Sequence, residues 1–212
     1  MKRSIADAQQ LAATFDFVLI LDALPQTDRD ALRTSQMLTD FLRMHRVESK
    51  LAQCRDSRHV LRYLRLFANM ARSGERFLLH IVSHGTEGGL WLEASMERLA
   101  WSELTEPLSA INSAMNDAFV VNITSCFGAS GIDIVDPEVT SDPFFGLIGS
   151  SREIDGAEAI SINSEFYRSL IASEDVPSAV AAVNQAMQEE VIFARPAVEL
   201  RRDAERAKRG GA

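Results

Sequence analysis

The sequence has few cysteines and no long apolar segment. Two cysteines among 212 residues cannot form a disulfide framework or a four-thiolate zinc site. A chain of this length can bury a core without cross-links, so we expect a protein of the reducing cytoplasm. No stretch approaches the roughly 18 apolar residues of a membrane-spanning helix, and the first apolar run, residues 15–21, is too short for a signal peptide. We therefore predict no membrane association.

Positive charge is also scarce. The 22 lysines and arginines are outnumbered by 30 aspartates and glutamates, which gives a formal net charge of −8. We recognise no concentrated basic face, and an acidic chain without one is a poor candidate for nucleic-acid binding. Walker and Gly-x-Gly-x-x-Gly motifs are absent, so no nucleotide cofactor is predicted. No metal site is predicted either, because His80 and His84 would lie ~13 Å apart along a strand.

The remaining composition is that of a globular domain. Apolar residues make up 46% of the sequence and charged residues 25%, both ordinary values for a folded protein. The length favours one domain, which we place at residues 1–194. Residues 195–212 follow as a polar, partly basic tail that is either a solvated helix or a frayed end.

Strand and helix patterns alternate along the chain. Apolar runs typical of buried strands occur at residues 15–21, 76–82, 118–124 and 144–148. A weaker strand is predicted at residues 47–53 and a short hairpin strand at residues 90–92. Apolar spacing and capping signals predict helices near residues 27–45, 57–73, 101–115, 156–171 and 177–193. The polar, proline-containing residues 131–143 are predicted to be a loop. This alternation predicts an α/β fold with a mostly parallel sheet and helices on both faces.

Two reactive side chains follow strands of this predicted sheet. His84 comes directly after the strand at residues 76–82, and Cys126 directly after the strand at residues 118–124. If these strands are neighbours, about 5 Å apart, both side chains can reach one substrate carbonyl at the carboxyl edge of the sheet. The imidazole can then take the thiol proton and later protonate the leaving amine. Backbone N–H groups of Gly85 and Cys126 could form the oxyanion hole.

A purely structural interpretation of the two residues has to be weighed against this one. A single histidine after a strand is more often a loop residue, and a single cysteine is more often a small buried hydrophobic residue. Their joint occurrence at equivalent strand ends, with glycines beside both, favours a site with a cysteine nucleophile.

The two segments resemble the His and Cys boxes of caspase-like cysteine peptidases. The first reads FLLHIVSHG and ends at Gly85, and the second reads VVNITSCFG and ends at Gly128. His84 and Cys126 are 42 residues apart (126 − 84), near the roughly 50 of caspases. The segment FFGLIGS at residues 144–150 also resembles the region after the Cys box in bacterial caspase-like and CHAT-type peptidases. The resemblance extends over most of residues 15–192.

The resemblance implies a caspase-like three-layer sandwich in which residues 1–194 form a peptidase domain. It implies that His84 is the catalytic histidine and Cys126 the nucleophile, with Gly85 and Cys126 as oxyanion-hole donors. The family uses a dyad without an obligatory third residue. Cleavage would pass through a thioester, with the peptide added along a sheet edge. No cofactor is implied.

The resemblance also carries expectations about partners. The substrate would be a protein or peptide, and regulation would come from a partner protein or from processing. Bacterial proteins of this type often act in defence or cell-death systems. The acidic residues 131–142, just after the nucleophile, would be flexible until substrate or a partner orders them.

Substrate specificity does not follow from the resemblance, because two family features are missing. The caspase box Gln-Ala-Cys-Arg-Gly is absent, and Thr124 and Ser125 stand where metacaspases carry an acidic residue. Asp22 and Asp155, each placed after a predicted strand, could line a pocket for a basic P1 side chain. The alternative for both is a solvated turn or a helix cap.

Two other classes of protein stay open. A caspase-like scaffold without activity could bind partner proteins, although such a scaffold has no chemical reason to retain His84 and Cys126. A flavodoxin-like or receiver-like domain has the same alternation, but it needs several acidic residues at strand ends, and Asp22 stands alone there. Cys54 precedes a polar turn and is interpreted as structural.

Overall fold

The computed structural model describes residues 15–25, 29–126, 128–136, 138–139 and 141–210. Thr27, which the sequence predicts to open the first helix, lies outside these residues. The strands are β1 (Phe17–Asp22), β2 (Glu48–Gln53), β3 (Phe77–Val82), β4 (His84–Thr86), β5 (Gly89–Leu92), β6 (Glu97–Ala100), β7 (Val120–Ile123), β8 (Gly146–Ser150) and β9 (Ile192–Pro196). The α-helices are α1 (Arg29–Met44), α2 (Ser57–Arg72), α3 (Thr105–Ala114), α4 (Gly156–Ser173), α5 (Val176–Met187) and α6 (Ala197–Gly210).

A six-stranded sheet forms the centre of the molecule, with the strand order β2-β1-β3-β7-β8-β9. The first five strands are parallel, and β9 pairs antiparallel with β8. A second, small antiparallel sheet contains β4, β5 and β6. The prediction of a mostly parallel α/β sheet is confirmed.

Helices cover both faces of the central sheet. Phe17, Leu19 and Leu21 of β1 pack in one buried core with α2 and α3, whereas Val18 and Ile20 pack in a second core with α1, α4 and α5. Because neighbouring side chains of a strand point to opposite faces, a strand covered on both faces has to be apolar throughout. This is why the central strands are continuous apolar runs in the sequence, and it confirms the predicted three layers.

The C-terminal region differs from the prediction. The helix predicted over residues 177–193 ends at Met187, and Ile192–Pro196 form the edge strand β9. The turn between them is fixed by Asn184, whose amide donates to the carbonyl of Ile192 (2.8 Å) and accepts from the N–H of Val191 (3.0 Å). Sequence periodicity did not reveal this turn, because it depends on a side chain that bonds to a segment beyond the helix.

The predicted tail begins inside the sheet. The boundary between residues 194 and 195 falls within β9. After β9, Ala197 and Leu200 of α6 are buried in the core that contains α2 and α3. The first turn of α6 therefore packs on the sheet layer, while its exposed residues retain the predicted polar character.

The segment after Cys126 has more regular secondary structure than the sequence predicts. Gly128–Ile134 form a 3-10 helix, and Ile134 is fully buried. Arg201 of α6 donates to the carboxylate of Asp142 (2.9 and 2.6 Å) and to the carbonyl of Val139 (2.6 Å). The prediction of an irregular loop is therefore wrong for residues 131–134. Beyond them, Asp136, Val139 and Asp142 accept hydrogen bonds from Arg201, and the flexibility of this segment stays a prediction.

Two smaller findings complete the fold. The carboxylate of Asp56 accepts a hydrogen bond from the N–H of His59 (2.8 Å). Asp56 therefore caps α2, although the sequence predicts that Ser57 does so. Among the described residues, no helix combines the length and the apolar character needed to cross a bilayer.

Candidate active site

The central sheet brings the His and Cys segments together. Strands β3 and β7 are parallel neighbours, with His80 opposite Asn122. Their carboxyl ends therefore lie at the same edge of the sheet. His84 begins β4 two residues after β3 ends, and Cys126 lies three residues after the end of β7. The prediction that these two strands are neighbours in the sheet is confirmed.

Direct backbone contact joins the two segments. A methyl group added to Gly85 would overlap the carbonyl oxygen of Cys126, and it would lie 2.8 Å from the carbonyl carbon of Cys126 and 3.0 Å from Ser125 Oγ. Only glycine allows the two loops to approach this closely. The sequence predicts Gly85 as an oxyanion-hole donor, and the structure shows in addition that Gly85 allows the nucleophile segment to approach closely.

A cleft of about 160 Å³ opens at this edge of the sheet. His84, Cys126 and Asp155 line it together with Ser83, Thr124 and Ser125, and Leu24, Val82 and Ile154 contribute apolar surface. The volume is below that of a site for a whole drug-sized ligand. It is suited to a single side chain next to the reactive groups.

His84 contacts a carboxylate. Its side chain is 44% exposed, and its Nε2 atom lies 3.2 Å from Oε2 of Glu93. Glu93 directly follows β5, which pairs antiparallel with β4 so that His84 lies opposite Trp91. Sequence reasoning did not select Glu93. The hairpin register could have indicated it, since Glu93 is the diagonal neighbour of His84, two residues beyond Trp91.

Cys126 contacts a different loop. Its half-buried thiol donates a hydrogen bond to the carbonyl oxygen of Ile154 (3.3 Å), and the N–H of Ile154 lies 3.5 Å from the sulfur. Across the described residues, no hydrogen bond joins the side chains of His84 and Cys126. In this resting arrangement each of the two groups has its own partner, Glu93 for the imidazole and Ile154 for the thiol.

Close packing also holds the turn that carries Cys126. The N–H of Gly128 donates to the carbonyl of Ser125 (3.0 Å), which also accepts a hydrogen bond from the Ser150 hydroxyl. A methyl group on Gly128 would overlap the carbonyl oxygen of Ile123. The hydroxyl of Thr124 donates to Asn163 of α4 (2.6 Å). These contacts fix the backbone on both sides of the thiol.

Ion pairs support the loop that contacts the thiol. Arg152 donates to Glu158 of α4 (3.0 Å) and to Glu189 beyond α5 (3.0 Å). Hydrogen bonds from Arg152 lower the pKa of the Glu158 carboxyl. Arg152 thus ties the loop that contains Ile154 to α4 and to the turn that follows α5. Sequence reasoning missed this network, because Glu189 is 37 residues away from Arg152 in the chain.

The two predicted pocket carboxylates lie in different surroundings. Asp155 is exposed and lines the cleft, and it also caps α4 by accepting from the N–H of Glu158 (2.8 Å). Asp22 is only 4% exposed and accepts from the Ser35 hydroxyl (2.6 Å). Burial raises the pKa of Asp22, and the residue is not among those that line the cleft. The structure therefore brings Asp155, and not Asp22, to His84 and Cys126.

The second histidine near the cleft, His80, is a packed residue. His80 is buried, with Nδ1 3.0 Å from the hydroxyl oxygen of Tyr167. Burial lowers the pKa of His80 to about 3, so the ring stays neutral at physiological pH and does not serve as a proton carrier there. No group of three or more His, Cys, Asp or Glu side chains among the described residues is arranged to hold a metal ion.

Cys54 provides an internal control for the reactivity of Cys126. Cys54 is buried, and desolvation, together with the charges of Asp22 and Asp56, raises its pKa to about 12. Because the thiolate is the form that reacts, we expect iodoacetamide at neutral pH to modify Cys126 and leave Cys54 unmodified. Mass spectrometry of the intact protein and its peptides measures the adducts. Cys54→Ala should retain the adduct and Cys126→Ala should lose it, and an adduct on Cys54 would contradict the expectation.

Comparisons with known proteins yield a match in structure but not in sequence. No protein-family model matches the chain, and no curated protein matches it either. A crystal structure of the Arg-specific cysteine proteinase gingipain R matches over 90% of this chain, with a TM-score of 0.50 and 10% sequence identity. The chain has a caspase-like fold. It covers 50% of gingipain R, about half the length of that proteinase, and at this identity the likeness extends to the fold alone.

Proposed function

We propose that this protein is a cysteine peptidase that cleaves protein or peptide substrates with Cys126 and His84. The observation that carries the proposal is the backbone contact between Gly85 and Cys126, which holds the histidine and cysteine segments against each other beside a shared cleft. The caspase-like fold supports the same activity. Each residue by itself has ordinary structural explanations, but their placement at one sheet edge does not follow from packing alone.

The proposed reaction begins with transfer of the Cys126 proton to the imidazole of His84. The thiolate attacks the scissile carbonyl, and the tetrahedral oxyanion accepts hydrogen bonds from the N–H groups of Gly85 and Cys126. The carbon–nitrogen bond breaks, and the leaving amine takes the proton from His84. Water, deprotonated by His84, then hydrolyses the thioester, which releases the acid and restores the thiol.

Substrate binding would have to change the partner of the thiol. In the resting arrangement the proton of Cys126 points to the carbonyl of Ile154, so its transfer to His84 requires the side chain to leave that carbonyl. Hydrogen bonds between catalytic groups are often completed only when substrate is bound. We propose that a side chain entering the cleft beside Ile154 favours this rearrangement.

Glu93 is proposed to orient the imidazole. With a proton on Nε2 donated to Glu93, the Nδ1 atom of His84 carries the lone pair that can accept the thiol proton. This role makes Glu93 a positioning residue, since it acts through His84. Family resemblance did not include such a third residue, so the role rests on the 3.2 Å contact.

Substitution of Glu93 is expected to affect turnover and not substrate binding. Glu93→Ala should lower kcat by about tenfold with KM nearly unchanged. Glu93→Gln should retain most of the activity, because its amide oxygen can still accept from Nε2–H. Glu97→Ala is the matched control, since Glu97 is an exposed glutamate of β6 that accepts hydrogen bonds from Ser57. Equal losses in the alanine and glutamine variants would contradict a positioning role.

The proposed substrate pocket uses Asp155 to bind a basic P1 side chain. Asp155 is the exposed carboxylate that lines the cleft, and the similar structure is that of an Arg-specific proteinase. Asp22, buried and bonded to Ser35, is not included in this pocket. The cleft volume of about 160 Å³ suits one extended side chain.

Profiling of a diverse peptide library tests both the activity and the pocket. We expect cleavage after arginine or lysine, and a loss of this preference by about tenfold in Asp155→Asn. Asparagine also caps helices, so the variant removes the charge and keeps the cap. Asp175→Asn is the matched control, because Asp175 caps α5 in the same way. Absence of cleavage in the whole library would favour an inactive scaffold that binds partners.

Two finer proposals rest on the sequence resemblance. One is that the chain is related to bacterial CHAT-type peptidases, and the other is that it acts in a defence or cell-death system. A partner protein that regulates the cleft belongs to the same proposal. Cleavage of a co-encoded effector by the purified protein would support these assignments.

A further inference from the structure

An arginine-rich surface lies on α2, outside the proposed active site. Helix α2 contains four arginines and no acidic residue in its 16 positions. Arg58, Arg62 and Arg65 have the i, i+4, i+7 spacing that places side chains on one side of a helix. The overall charge of −8 predicts no concentrated basic face, and this prediction is wrong for α2, because a net charge does not show a local excess of arginine.

These arginines form no ion pair with any carboxylate that the structure describes. Arg55, Arg58, Arg62 and Arg65 are exposed, and none of them forms an ion pair within the described part of the chain. Arginines on other helices do form such pairs, such as Arg43 with Asp40 (2.7 Å) on α1. In an acidic protein, carboxylates are abundant, so a group of unpaired arginines marks a surface that can take a negatively charged ligand from outside.

A surface depression adjoins these arginines. It has a volume of about 320 Å³ and is lined by Gln53, Arg55, His59, Arg62, Tyr63 and Leu66. Leu66 is 49% exposed, and with Tyr63 it adds apolar surface to the charged rim. The opposite side of α2 packs its apolar residues in the core, so the helix presents these groups from a fixed position. We call the surface formed by the lining residues, Arg58 and Arg65 the arginine face.

The neighbouring strand favours an extended ligand. Strand β2, whose last residue Gln53 lines the depression, is one of the two edge strands of the central sheet. No other strand within the described residues pairs with the outer side of β2. An edge strand can bind an extended segment through backbone hydrogen bonds, while neighbouring pockets take its side chains.

We propose that the arginine face binds an acidic segment of a partner protein, with glutamate or aspartate side chains at the arginines and an apolar side chain in the depression. Charge complementarity identifies the acidic partner. The apolar lining favours a protein over a double-stranded nucleic acid, which would present its phosphate backbone and no apolar group to Leu66. The net charge of −8 also opposes a long polyanion, whose charges extend beyond the basic surface.

Fluorescence anisotropy with a short labelled peptide that repeats Glu-Glu-Leu tests this proposal. The full chain carrying Cys126→Ala is used, so that binding is measured independently of cleavage and of the proposed peptidase activity. We expect binding at low salt that weakens as salt is added. Replacing Arg58, Arg62 and Arg65 together with glutamine should weaken binding about tenfold. The same peptide with Gln in place of Glu should not bind.

A matched control removes the same number of positive charges elsewhere. Arg43→Gln, Arg168→Gln and Arg206→Gln change arginines that already pair with Asp40, Glu165 and Asp203 on other helices, and this triple variant should bind the peptide like the parent protein. The proposal is overturned if no acidic peptide binds, or if the two triple variants lose equal affinity. It is also overturned if labelled single-stranded DNA or phosphatidylserine vesicles bind the arginine face more tightly than the peptide.

Discussion

Replacing Cys126 with alanine is expected to abolish peptide cleavage, with a loss of about 10⁴-fold or more in kcat. The proposed reaction passes through a bond to the sulfur of Cys126, and no other described thiol can replace it, since Cys54 is buried with a pKa raised to about 12. The measurement is release of product from the best peptide of the library profile, with the protein concentration varied to reach slow rates.

Stability measurements separate this chemical effect from damage to the fold. Cys126→Ala removes a half-buried thiol and its hydrogen bond to Ile154, so the free energy of unfolding should fall by only about 1–2 kcal/mol. Cys54→Ala is the matched control, since it removes a buried thiol at similar or larger cost in stability and should keep its activity. Cleavage that persists in Cys126→Ala would exclude the proposed nucleophile.

Replacing Gly85 with alanine is expected to lower the free energy of unfolding by about 2–4 kcal/mol. The substitution should also lower kcat for peptide cleavage at least as much as the loss of one catalytic hydrogen bond does. The added methyl group overlaps backbone, namely the carbonyl of Cys126, and not the end of a flexible side chain. To avoid this overlap, either β4 or the turn that carries Cys126 has to move. That turn is held by contacts with Gly128, Ser150 and Asn163. Urea denaturation and the peptide cleavage assay measure the two effects.

Gly156 supplies the matched control for this substitution. A methyl group on Gly156, the first residue of α4, meets no atom within 4 Å, although the residue lines the same cleft. Gly156→Ala should keep the stability or raise it slightly, since alanine loses less backbone entropy on folding. If Gly85→Ala were as stable and active as Gly156→Ala, the backbone contact would not be what holds the site together.

The arrangement explains why the site needs two glycines next to its reactive residues. A parallel sheet places neighbouring strand ends about 5 Å apart, but the loops that leave those ends have side chains that keep them separated. Gly85 and Gly128 remove that separation at two points, one between the loops and one between the turn and β7. In the proposed peptidase site, backbone contacts at these two glycines are therefore what holds the segments with His84 and Cys126 together.

Much of the fold could be predicted from local sequence. The central strands β1 and β3 are buried on both faces, so they had to be continuous apolar runs, and such runs are visible without any knowledge of the tertiary structure. The positions of His84 and Cys126 directly after β3 and β7 follow from the same pattern. Strand β9 could not be found in this way, because it is an edge strand that is only partly buried and its sequence continues a helical pattern.

The sequence by itself determined which residues can do chemistry and that they follow strands of an α/β sheet, since residue type and apolar pattern are local properties. Tertiary structure alone decided what each of them contacts. It made β3 and β7 neighbours, put Glu93 beside His84 and Ile154 beside Cys126, and separated Asp155 in the cleft from the buried Asp22. The physical reason is that contacts between remote segments depend on strand order and helix packing, which the whole chain settles together.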